Sequence, residues 1–217
     1  MATPVNDWLT YSDQIKLLES LEFNYDDKTY HDSVDKLGWF VDKYDAILAV
    51  EPQGPPLVNG PFEVVKDAIG RYQFPDPDLI RAWFDPNIEL AKRNMLMQAQ
   101  FIGFKFYFGV RVTSVIDEEV PSAGGTEKRW GYSYRTLKGH FEIGEIRFIV
   151  SKNLTSGEVT FHVDAYSKPD RIPNLFYRVG FKIFGRSLQN YFARSSIERL
   201  KAIAQASLEN LKTAQQN

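Results

Sequence analysis

Residues 104 to 113 constrain the fold most. Phe104, Phe106, Phe108, Val110 and Val112 alternate with Lys105, Tyr107, Gly109, Arg111 and Thr113, a period of two that belongs to a strand with one covered face. Such a strand needs strand neighbours on both sides and a layer over its apolar row. Residues 129–137, 145–152 and 158–167 read as those neighbours. Trp130, Tyr132 and Tyr134 alternate with Gly131, Ser133 and Arg135, and Thr136 continues the aromatic side. Gly139 and Gly144 bracket His140 and Glu142, so the chain turns there and re-enters a strand at Glu145. A glycine-containing connection this short is too short for a parallel crossover, so the two strands must pair antiparallel. Phe104, Phe106 and Phe108 are expected to share the covered face of one strand, and Trp130, Tyr132 and Tyr134 one face of another.

The remaining chain supplies helices. Residues 12–22 carry Ile15, Leu18 and Leu21 on one side, with Thr10 or Ser12 as cap. Residues 38–50 are aromatic and β-branched enough for a first long strand. After the loop E-P-Q-G-P-P-L-V-N-G, Pro61 suits the first position of a helix capped by Asn59 or Gly60, with Phe62, Val65, Ile69 and Tyr72 on its apolar face. P-D-P-D at 75–78 predicts a cap for a second short helix holding Ile80, Trp83 and Phe84, and residues 117–129 read as a long exposed connection. From Pro169 the pattern is helical to about 213. Strands with segregated helices make an α+β domain. Its expected division is an N-terminal extension over 1–30, one domain over 31–213 and a frayed tail over 214–217.

The C-terminal segment has a phase mismatch. Ala193, Ile197, Leu200, Ala204, Leu208 and Leu211 form one apolar stripe, but the same direction is taken earlier by Arg178, Lys182 and Arg186. Either the helix bends or breaks near Gly180 or Gly185, or its first half packs on a different surface. The basic row suits an anionic membrane surface or a charged head group. It equally suits cations left in water while Phe181 and Phe184 close a cavity.

Composition narrows the function. The net charge of −2 argues against a nucleic-acid partner. Residues 168–201 nevertheless hold eight Lys or Arg against two acids, a local surplus of +6. The absence of cysteine removes disulfides, iron–sulfur clusters and thiol catalysis. The opening M-A-T-P-V-N-D has neither basic flank nor apolar core, so a cytoplasmic chain is expected, the alternative being peripheral attachment to an organellar membrane. Three histidines are present, His31, His140 and His162. A zinc site would need His140, His162 and a carboxylate from elsewhere, so no metal is expected. No phosphate loop, nucleophile elbow or dinucleotide fingerprint occurs, and no cofactor is expected.

The stretch W-G-Y-S-Y-R-T-L-K-G-H-F-E-I-G-E-I-R-F at 130–148 resembles the signature of the uncharacterised family DUF1990, aromatic-G-[FY]-x-[YS]-G-T-L-x-G-H-x-x-x-G-E-E-x-F. Gly131, Thr136, Leu137, Gly139, His140, Gly144, Glu145 and Phe148 fit, while Arg135 stands for a glycine and Ile146 for the second acid. The likeness includes F-N-Y-D at 23–26, G-E-V-T-F-H-V-D-A-Y-S-K-P at 157–169 and F-A-R-S-S at 192–196. The element order also resembles the helix-grip fold of the START and birch-pollen-allergen superfamily, in which a curved sheet wraps a long C-terminal helix around a cavity. What the resemblance implies is a small apolar or amphipathic ligand between sheet and helix. Trp130, Tyr132, Tyr134 and Thr136 would line it, and the polar groups of Tyr132, Tyr134, His140 and Arg111 would orient it. Core packing accounts for the same rings without a ligand. A second reading is an enzyme in that cavity, with His140 as acid or base supported by Glu142 or Glu145, or with a tyrosine in that role. A third follows from plant members of the family described as cation channels of the chloroplast outer envelope.

Overall fold

The structure is a computed structural model. It describes residues 7–31, 38–101, 103–122, 124–170 and 175–216, without the side chains of 29, 101, 175–187, 215 and 216. Besides two 3-10 turns (Trp8–Tyr11 and Leu90–Lys92), the elements are α1 (Ser12–Leu18), α2 (Lys28–His31), β1 (Phe40–Val50), α3 (Pro61–Gly70), β2 (Ile80–Trp83), β3 (Asn94–Phe101), β4 (Phe104–Ser122), β5 (Gly125–Thr136), β6 (Glu142–Asn153), β7 (Glu158–Pro169) and α4 (Leu175–Gln216). The seven strands form one antiparallel sheet in the order β1-β7-β6-β5-β4-β3-β2. β5 and β6 are neighbours as the short connection requires, running from Glu127↔Asn153 to Arg135↔Glu145. Register shifts between Ile47 and Ala49 and between Val112 and Ser114 bend their strands. The result is the α+β helix-grip architecture, a curved sheet against a long C-terminal helix.

Three expectations need correction. Residues 80–83 form β2, paired antiparallel with Leu96–Ala99, and not a helix. The Asp76 carboxylate takes the Asp78 N–H, Leu79 and Ile80 N–H close on the Asp76 carbonyl, and the few residues left before Asp85-Pro86 are too few to nucleate a helix. Residues 117–122 and 125–129 are paired strand, from Asp117↔Trp130 to Ser122↔Gly125. Glu118 and Glu119 lie opposite Arg129 and Lys128, and Lys128 reaches Asp117 at 2.6 Å, so cross-strand charge replaces apolar alternation there. Phe104 is 47% exposed and Phe106 half-buried, and only from Phe108 inward is the row covered, because β4 begins beyond the layer that packs on it. Along α4 the helix continues through Gly180 and Gly185 without a break, which leaves the other alternative, that its first half packs on a different surface.

The inner face of the sheet holds the main core. Met95, Met97, Phe108, Val110, Val112, Trp130, Tyr132, Phe148, Val150, Phe161 and Val163 meet Phe62, Val65 and Ile69 of α3 and Leu200 and Ala204 of α4. Ala193, Ser196, Ala204 and Ser207 are all buried on α4, small residues that let the helix approach its neighbours closely. At the start of α3, Pro61 occupies the first turn and Gly60 the cap position. The cap itself comes from a distance: the Glu51 carboxylate accepts the N–H of Phe62 at 2.7 Å and of Leu57 at 3.1 Å. Lys152 Nζ sits 2.6 Å from that carboxylate and donates to the Pro55 carbonyl, both side chains fully buried.

On the outer face a smaller core of Ile15, Leu18, Leu96 and Leu137 seats α1 and the segment behind it. Arg135 lies between two rings of that segment, 4.4 Å from the centre of Phe23 and 4.7 Å from that of Tyr25, and donates to the Tyr25 carbonyl. Arg135→Ala is therefore expected to lose about 2 kcal/mol of stability, read from the urea midpoint, with Phe23 and Tyr25 freed together.

Candidate functional site

Strand β5 brings Trp130, Tyr132 and Tyr134 to the inner face, but not to equal purpose. Trp130 lies under α3, where a Cβ added at Gly70 would meet its ring at 3.2 Å. Tyr132 is fully buried and donates to the Ile69 carbonyl at 3.3 Å, its phenol pushed well up by burial. Phe148 sits among them, within 6.4 Å of the rings of Tyr72, Phe74, Tyr132, Tyr134, Phe161 and Phe192. These interlocked rings fill the inner face around Trp130 and Tyr132. Tyr134 is different. It is only partly buried, its hydroxyl meets that of Tyr72 at 3.3 Å, and burial pushes its pKa up to about 12.

Beside Tyr134, β6 opens on Glu142. Its Oε1 accepts Gln189 Nε2 of α4 at 3.0 Å. Burial, with the charge of Asp42 nearby, pushes its carboxyl up to about 7. Phe141, Ile146 and Phe192 are partly buried against the main core. This end of the inner face therefore carries a carboxyl poised between its two forms, a phenol pair and an amide, set in aromatic and aliphatic surface. It adjoins the part of α4 whose side chains are not described. An open concavity of about 310 Å³ lies between Leu188 and Tyr191 of α4 and Asp76, Gln100 and Gly103, lined by none of these site residues.

A pH-dependent prediction follows. The Glu142 carboxyl has a folded pKa above its free value of 4.5, so its contribution is present below pH 4.5 and lost as the pH rises through about 7. Glu142→Gln keeps the acceptor for Gln189 and removes the charge. The variant should match the wild type near pH 4 and exceed it by on the order of 2–3 kcal/mol near pH 8, in paired urea titrations.

The other expected site residues are distributed elsewhere. His140 is buried against Phe108 and Phe141, with ring centres at 4.4 and 4.6 Å. Its Nδ1 accepts the Glu142 N–H at 2.9 Å, and burial lowers its pKa to about 3, so the ring is neutral and its proton sits on Nε2. It holds the β5–β6 turn. Glu145 faces the outer side, beside Arg147 at 3.9 Å, and cannot support His140. Thr136 donates to Asn24 Oδ1 and accepts the Gly144 N–H, which ties the N-terminal segment to β6. Arg111 does not reach the inner face. Its guanidinium donates to Asn94 and to the carbonyls of Leu18 and Leu21 at the end of α1. Arg178, Lys182 and Arg186 belong to α4, and their side chains lie outside the described residues. Among the described residues no cluster of His, Asp and Glu could hold a metal ion.

The motif glycines have backbone reasons. A Cβ at Gly131 would stand 2.1 Å from the Phe148 carbonyl oxygen, and one at Gly144 would stand 2.2 Å from that of Tyr166. Gly139 turns with φ +93. Sequence reasoning missed Tyr72, Gln189, Glu51 and Lys152. For Lys152 the signal was present, because it continues the alternation of Ile146, Phe148 and Val150 on the covered side.

The family model "Domain of unknown function (DUF1990)" matches residues 25–199, and the chain belongs to that family. No curated protein matches significantly. Among solved structures the chain is similar to Ara h 8.0201, with 11% identity, TM-score 0.41, and coverage of 78% of this chain and 99% of that one. It is also similar to protein CV1439 from Chromobacterium violaceum, with 14% identity, TM-score 0.45, and coverage of 76% and 96%. The di-domain aromatase/cyclase StfQ of the steffimycin biosynthetic pathway shows 10% identity and TM-score 0.47, with 79% of this chain and 52% of that one covered.

Proposed function

We propose that this member of the DUF1990 family binds a small amphipathic molecule at the Tyr134 end of the inner face, between β5, β6 and α4. The observation that carries the reading is the Glu142 carboxyl, its pKa raised by burial to about 7, beside Gln189 and close to the Tyr72–Tyr134 hydroxyl pair. A few convergent polar groups in apolar surface suit a ligand with an uncharged hydrogen-bonding head and an apolar body. Tyr134 and Glu142 meet the head, while Phe141, Ile146 and Phe192 take the body. No described helix is long and apolar enough to cross a membrane.

Nile red, a neutral apolar fluorophore, tests the site. The wild type should enhance its emission saturably, and Tyr134→Trp, which places a larger ring in the same space, should weaken binding about tenfold, or ~1.4 kcal/mol. Glu142→Gln should leave that binding intact, since the protonated form is retained in shape. Absence of saturable emission with the folded wild type would reduce the domain to a structural module.

A further inference from the structure

On the outer face, three neighbouring strands set a serine, a histidine and a carboxylate in line. Ser151 Oγ of β6 lies 2.8 Å from His162 Nε2 of β7, and His162 Nδ1 lies 2.5 Å from Asp45 Oδ1 of β1. The register fixes this alignment: His162 stands directly across from Asp45 and, with Ile149 as its β6 partner, diagonal to Ser151. A carboxylate only accepts, so Nδ1 carries the proton that Asp45 takes. Nε2 then offers its lone pair to the Ser151 hydroxyl. That tautomer is the one a serine nucleophile needs from its base.

We propose that Ser151 is a nucleophilic serine, activated by His162 and oriented through Asp45, that accepts a small acyl group from an activated ester. The surroundings define the substrate class. Ser151 is only 3% exposed, while the side chains of His162 and Asp45 are 29% and 70% exposed. With so little of Ser151 exposed, only a small acyl group would reach its hydroxyl past the neighbouring side chains. Arg129 of β5 stands directly across from Ser151. Its guanidinium, steadied on Glu127 at 2.8 Å, would supply the positive charge for the developing tetrahedral oxyanion. Mid-strand amides are committed to the sheet ladder, so Arg129 takes the place of a backbone oxyanion pocket and the rate is low.

The step balances. The bond from Ser151 Oγ to the acyl carbon forms as the hydroxyl proton passes to His162 Nε2. The ester C–O bond breaks, and the phenolate leaves with the electron pair. The imidazolium returns its proton to solvent. Water then attacks the acyl carbon and gives one proton to Nε2, that proton returns to Ser151 Oγ as the C–O bond breaks, and the carboxylic acid departs and loses its remaining proton to solvent.

A hydrogen-bonded ladder without nucleophilic character would leave Ser151 as unreactive as any other serine, and p-nitrophenyl acetate separates the two. With the full-length chain, intact-mass and peptide analysis should show one acetyl group on Ser151. Ser151→Ala should carry none. His162→Gln and Asp45→Asn should slow labelling at least about tenfold, the latter by favouring the wrong tautomer. Asp45 is largely exposed, so its variant serves if His162→Gln does not fold. Acetyl groups on lysine or tyrosine only, or labelling of Ser151 at an unchanged rate in both variants, would overturn the proposal.

Discussion

Glu51→Ala is expected to cost on the order of 4 kcal/mol. Two effects add. The first-turn amides of α3 lose the carboxylate that accepts Phe62 and Leu57, and Lys152 is left fully buried with only the Pro55 carbonyl among its described partners. A charge kept from water without its counter-ion is far costlier than the intact pair is favourable. The double variant Glu51→Ala with Lys152→Met should therefore recover a large part of the loss, since it removes the stranded ammonium. Chemical denaturation of the wild type, both single variants and the double variant closes the cycle. Equal losses in Glu51→Ala and the double variant would mean that only the cap matters.

Phe148→Ala should lose about 3–5 kcal/mol. Its ring is fully buried at the centre of six other aromatic rings, and alanine leaves a hole that stiff, interlocked neighbours cannot collapse to fill. The same variant probes the division of the inner face. If the Trp130–Tyr132 region is packed solid, the wild type binds Nile red at one site near Tyr134, and Phe148→Ala gains room that adjoins it. A loss below about 1 kcal/mol in the denaturant midpoint would show that the region was already loosely filled.

Much of this arrangement was legible in the sequence. Alternation at 104–112 and 130–136 and the short glycine-bounded turn gave strands, partners and the inward row of Trp130, Tyr132 and Tyr134. Pro61 marked the start of α3. What alternation cannot carry is depth along a strand, which is why Phe104 and Tyr134 are less covered than Phe108 and Tyr132. Nor could it show that 117–122 and 125–129 pair through charges in place of apolar contacts. Ile80, Trp83 and Phe84 fit a helical spacing, but a four-residue window fits a strand as well. Arg111 fell on the outer side for a plain parity reason, since it alternates with Val110 and Val112. His140 invited an acid–base reading because of its type, and its use as an acceptor for the Glu142 N–H depends on turn geometry that no spacing rule encodes. The partnership of Glu142 with Gln189 joins positions 47 apart in sequence, beyond any local pattern.

The most direct measurement for the amphipathic-ligand reading is native mass spectrometry of the wild type and Tyr134→Trp, each purified from cells without denaturation or detergent. The account predicts that the wild type carries a small molecule released on unfolding, and that Tyr134→Trp carries little or none. The bare chain mass for a folded wild type, with Nile red unbound as well, would contradict it.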